Sequence, residues 1–125
     1  MSGGEFPAQR LGDAVVVRLP AEVDLTSADR LREALLAVLS SGARALIIDM
    51  TATTFCDSAA IGAITRAARR AAAAGAEIRL AACAPPVLRI LDLLGIDRVV
   101  AVYPTVAEAA GSLPEGPVSP AAAGR

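Results

Sequence analysis

Two periods alternate along the chain. Val15, Val16 and Val17 lie within an apolar stretch, residues 14–19, whose β-branched side chains favour an extended strand. Gly12-Asp13 separates it from a shorter stretch, residues 6–11, and both turn residues suit a tight reversal, so the pair predicts a β-hairpin. Pro7 cannot donate to a ladder and confines the first strand to a sheet edge. From Thr26 to Leu39 the period becomes helical: Leu31, Leu35, Val38 and Leu39 share one side, with Arg30, Arg32 and Glu33 on the other. Thr26 and Asp29 have the spacing of a capping box, and Gly42 supplies a stop. Residues 45–50 then form a nearly continuous apolar run of strand length, as expected of a strand covered on both faces.

The alternation continues. A second helix is predicted over residues 58–74, with Ile61, Ile64 and Ala68 buried, Arg66, Arg69 and Arg70 outside, and Gly75 at its end. Residues 77–81 read as a strand. Pro85 and Pro86 suit a helix start, Val87, Ile90, Leu91 and Leu94 form its apolar stripe, and Gly95 closes it. Residues 98–103 are the last predicted strand, and Thr105 with Glu108 marks the capping box of a short helix reaching about residue 113. The order predicts an α/β domain: a mostly parallel β-sheet behind an N-terminal hairpin, packed against α-helices. Residues 1–5 and 114–125 read as flexible tails around a single domain at 6–113, the second because Pro, Gly, Ser and Ala succeed one another there without apolar periodicity.

Composition narrows the chemistry. At 125 residues the chain supports one core. It is 54% hydrophobic with a formal net charge of -1, which leaves no strong basic field for nucleic acid. With 2% aromatic residues and no Trp, base-stacking platforms have almost nothing to be built from. Every basic residue is Arg; there is no His and no Lys. A Ser-His-Asp or Cys-His relay, a histidine metal site, a Schiff-base lysine and a Walker lysine are all excluded, so no catalytic residue, metal or cofactor is expected and the chain does not read as an enzyme. Cys56 and Cys83 lack CxxC spacing and no secretory leader pattern opens the chain, which points to a reducing, cytoplasmic setting. The apolar runs are too short to span a bilayer, so no membrane insertion is expected. Arg66, Arg69 and Arg70 read as a solvated helix face.

The most informative segment is Thr54-Phe55-Cys56-Asp57-Ser58-Ala59-Ala60-Ile61-Gly62, where a buried strand gives way to a helix. Ligand sites of open α/β sheets lie at such carboxyl ends. Two readings stand side by side. Asp57 or Ser58 serves as the helix N-cap, a position where both residue types rank high. Alternatively the hydroxyl, left approachable by the small Ala59 and Ala60, carries a phosphate beside the amide donors of the positive helix end and acts as a switch.

The segment DSAAIG after an apolar strand resembles the Asp-Ser-Ser-Gly-Leu-Gly region of STAS domains, specifically of the anti-sigma factor antagonists. AEVD at residues 21–24 resembles that family's Gly-Glu-Leu-Asp segment, APPVLR at 84–89 its Ser-Pro-x-Val-x-Arg helix start, and LGI at 94–96 its Ser-Gly-Leu turn. The resemblance implies a cytoplasmic regulator that works by partner switching. The unmodified antagonist binds an anti-sigma factor with serine kinase activity, phosphorylation of the serine ends binding, and a phosphatase restores it. The matching acceptor is Ser58. Asp24, Asp57, Ser58, Ala59, Ala60 and Ile61 match the partner-binding positions, and no direct nucleic-acid contact is implied. Ala60 stands where the family has glycine, adding a methyl on the kinase's path of approach; Ala21 replaces another glycine and Ala84 a capping serine. A different functional class shares the fold: a STAS scaffold, or an accessory subunit of a membrane transporter, that is not phosphorylated.

Overall fold

Gly12 adopts a φ of 62°, a left-handed conformation that favours glycine, and turns β1 (Ala8–Leu11) back onto β2 (Ala14–Arg18). The computed structural model describes residues 5–111. The hairpin is antiparallel, with Ala8 opposite Val17 and Leu11 opposite Ala14. A two-residue strand, β3 (Glu22–Val23), leads into α1 (Leu25–Ser40). β4 (Ala45–Asp49) follows, then β5 (Phe55–Cys56), α2 (Ser58–Ala73), β6 (Glu77–Ala81), α3 (Pro85–Leu93), β7 (Ala101–Tyr103) and α4 (Val106–Gly111).

The main sheet has the order β1-β2-β4-β6-β7, parallel throughout except for the hairpin. β4 sits in the middle with every residue buried, Asp49 included, as its nearly continuous apolar run predicts. Alternate side chains therefore enter two different cores. Val17, Leu46, Ile48, Ile78 and Leu80 join Leu31 and Leu35 of α1, Ile61 and Ile64 of α2, and Val87 and Leu91 of α3 in the larger one. Ala14, Ala45 and Ile47 face the other way, toward Ala109 of α4. On that second face Arg79 is buried, with its guanidinium on Glu77 at 2.8 Å and Nη1 donating to the Tyr103 hydroxyl at 2.9 Å.

Several boundaries differ from the sequence expectation. α1 starts not with a Thr26–Asp29 box but with Asp24 as N-cap: its carboxylate accepts from the Thr26 N–H at 3.0 Å and hydroxyl at 2.6 Å, so Thr26 is itself engaged, while the Ser27 hydroxyl accepts from the Asp24 N–H at 3.2 Å. Residues 98–100 are not strand. Gly95, at φ 72°, reverses the chain into a 3₁₀ turn, Ile96–Arg98, which drops Ile96 into the core; Val99 and Val100 both donate to the Ile96 carbonyl, so β7 begins only at Ala101. Leu94 leaves the predicted apolar stripe and is exposed past the end of α3. Thr105 does cap the last helix, accepting from the Glu108 N–H at 3.0 Å. Glu5 holds the Arg30 guanidinium at 2.7 Å. The segment 114–125, read as a tail, lies outside the described residues, as do residues 112–113 of the predicted closing helix.

Candidate functional site

The two short strands build the site. β3 and β5 pair in parallel away from the main sheet, with Glu22 beside Phe55 and Val23 beside Cys56. Val23 and Cys56 are buried, so the alternation turns Glu22 and Phe55 outward and carries Asp24 and Asp57 side by side to the starts of two helices. The connecting segments are pinned to each other: the Thr53 hydroxyl donates to the Pro20 carbonyl at 2.8 Å and the Thr54 N–H to the Ala21 carbonyl at 2.8 Å.

Asp57 joins the helices. One carboxylate oxygen accepts from the Ala60 N–H of its own helix at 3.1 Å. The other accepts from the Leu25 N–H, the first residue of α1, at 3.0 Å. Both amides are among the donors a helix start leaves without intrahelical partners. Asp57 also donates its own N–H to the Val23 carbonyl at 3.3 Å. Capping of α2 thus falls to Asp57, and Ser58 is the first residue of the helix, exposed, with no hydrogen bond to its hydroxyl among the described residues.

The structure sorts the sequence candidates. Asp24, Asp57 and Ser58 come together at one edge, with Ala59 half-buried beside them. Ala60 and Ile61 do not belong to that surface: at 0% and 3% exposure they point into the core, on the stripe that continues through Ile64, Ala67 and Ala71. The methyl of Ala60 is therefore inside the protein and off the path toward Ser58. Two residues that sequence reading passed over belong at this edge. Leu25 is 74% exposed and Phe55 50%, large apolar side chains at the start of α1 and in β5. Their signal lay in position: Leu25 directly follows the cap of α1 and Phe55 stands two residues before the cap of α2.

The hydrogen bonds here favour the charged form of Asp24. Hydrogen bonds from the Thr26 hydroxyl, then the Thr26 N–H, hold the Asp24 carboxyl below its ordinary range. Burial, reinforced by the neighbouring Asp57 charge, pushes the Cys56 thiol up to about 11, which keeps it protonated and unreactive at neutral pH. Cys83 is exposed and, like Cys56, free. No three His, Cys, Asp or Glu side chains among the described residues are grouped to hold a metal ion, and none of the described helices is long and apolar enough to cross a membrane.

A mostly parallel sheet behind a hairpin, packed against helices, has counterparts among known proteins. The STAS domain family matches residues 5–109. The Mycobacterium tuberculosis protein Rv2638, named as an anti-anti-sigma factor, is 32% identical over 109 residues, a match spanning 85% of this chain and 73% of that one. The chain belongs to the STAS family of anti-sigma factor antagonists. That family is regulatory rather than catalytic. Among solved structures, an anti-sigma factor antagonist from Mycobacterium paratuberculosis superposes with a TM-score of 0.79 at 24% identity, over 86% of this chain and 91% of that one. The Bacillus cell fate determinant SpoIIAA in its phosphorylated form does so at 0.66 and 21%, over 85% and 96%. At these identities the two structures show the shared STAS fold.

Proposed function

We propose that this STAS domain is the antagonist of a partner-switching pair: unmodified, it binds an anti-sigma factor; phosphorylation of Ser58 by that factor's kinase activity ends binding; and a phosphatase restores it, all in the cytoplasm. The observation that carries this reading is the division of labour at the start of α2. Asp57 does the capping, so the Ser58 hydroxyl is exposed and has no structural duty that modification would disrupt. Leu25 and Phe55 supply exposed apolar area, and Asp24 and Asp57 supply charge. This is the make-up of a protein-binding patch rather than a substrate pocket.

The energetics separate binding from folding. A phosphate adds about -1.5 to -2 charge, and a helix N-terminus favours such charge by about 0.3–1 kcal/mol, so the fold tolerates it. In a packed interface the same charge must be desolvated next to Asp57, and like-charge juxtaposition there costs several kcal/mol. Wild-type, Ser58→Ala and Ser58→Asp baits, incubated with lysate of the native host and analysed by mass spectrometry, test this. An ATP-binding anti-sigma factor is expected on the first two baits and lost from the third, whose circular dichroism stays that of wild type. Retention of one transporter subunit or scaffold by all three baits would instead assign the module to the unphosphorylated class.

A further inference from the structure

Three glycines of the chain illustrate two situations. Gly12 and Gly95 have left-handed φ values of 62° and 72°, so the backbone itself calls for glycine. Gly62 does not. It lies in the second turn of α2 with ordinary helical geometry, half-exposed, and a Cβ built there would meet only the Arg66 side chain, Nη1 at 3.7 Å, an ordinary van der Waals distance. Glycine is among the least favourable residues in a helix interior and alanine the most favourable. Half of the sixteen residues of α2 are Ala, so an alanine at 62 would match the rest of the helix and cost the fold nothing. The methyl is missing where the fold has room for it.

The position gives the omission a meaning. Gly62 is four residues from Ser58, hence one turn further along the same face, and Arg66 is one turn beyond that. Arg66 is exposed and forms no ion pair among the described residues; its Nη1 stands 3.7 Å from the place a Gly62 Cβ would occupy. We propose that Gly62 is the point of closest approach for the protein that docks over Ser58: a partner segment with a small or flat residue lies against the Gly62 backbone and presents an acidic side chain to Arg66. This rests on the reading of Ser58 as the centre of an anti-sigma-factor interface and names the depth and chemistry of contact beside it. Close backbone approach is what glycine permits, and one added methyl at a packed contact forces the two surfaces apart.

The test sets stability against binding. Gly62→Ala is expected to raise Tm by about 4 °C, through helix propensity, and to weaken binding of the purified anti-sigma factor recovered on the wild-type bait by about tenfold in calorimetry. Ala72→Leu, at an exposed position near the far end of α2, serves as control and leaves affinity unchanged. A Gly62→Ala protein that binds as wild type does overturns the proposal, as does one whose Tm falls, because the fold would then need the glycine. Loss of binding by Ser58→Asp alone leaves the switch standing and removes the Gly62 contact. Loss by Gly62→Ala alone supports the contact and removes the switch.

Discussion

Asp24 makes its contribution as an anion. The bonds it accepts from Thr26 hold its carboxyl below 3.8, the ordinary value, so the folded protein binds that proton less readily than the unfolded chain does. The sign follows from linkage: the stabilisation is fully present above about pH 4 and is lost as pH falls through the folded value. Asp24→Ala is therefore expected to lower Tm most at neutral pH, with the gap to wild type narrowing as the solution is acidified below 3.8. Melts across a pH series check this. Ala60 gives the complementary lesson. The DSAAIG segment suggested a surface run, yet the helical stripe through Ile64 and Ala68 already assigned Ile61 to the inside; in the fold the buried stripe takes Ala60 as well.

Between elements, Asp57 is the shared fixture. Each of its carboxylate oxygens satisfies a helix start on a different helix, 32 residues apart in sequence for the Leu25 bond. A single cap is typically worth about 1 kcal/mol, so Asp57→Ala is expected to cost about 2 kcal/mol in urea denaturation. The Leu25 amide should also lose hydrogen-exchange protection, although its own helix cap, Asp24, is intact. The cap on α2 was legible as one of two candidates; the bridge to α1 was not, because nothing local in the sequence relates residues 25 and 57. β3 and β5 were missed for a related reason. Two residues have no period, and such strands exist only because each offers the other a ladder. α3 shows the reverse case, where local sequence sufficed. Ala84 makes no side-chain cap, but Pro85 and Pro86 have no N–H groups to leave unsatisfied, so replacing the family serine left the helix start where the sequence put it.

At the scale of the molecule, the sheet has a thick side and a thin one. Ile48 lies beneath α1 and α2 in the larger core, whereas Ile47, its neighbour in β4, shares the smaller cluster with Ala14, Ala45 and Ala109. Truncation costs depend on how far the surroundings can close on the space left behind. Ile48→Ala is expected to cost about 4 kcal/mol and Ile47→Ala about 2 kcal/mol in equilibrium unfolding, within the range for buried Ile→Ala changes. The architecture as a whole was readable because β4 is apolar up to its last residue, Asp49, and the helices carry clear stripes. The allocation of helices to faces was not, since the short α4 gives too few turns for a face to be read from its sequence.

The placement of α4 has a consequence for the order in which the protein is made. The buried residues of the larger core, the turn at Ile96 and Val100 included, all precede β7, so the side that carries Ser58 has its buried parts before the last strand leaves the ribosome. The second face must wait for Val106 and Ala109. Until they emerge, Ile47 and its small neighbours are a nascent chain's open apolar surface. A nascent chain that has emerged from the ribosome only as far as residues 100–105 would therefore display a nearly complete regulatory edge on a domain still in need of a chaperone.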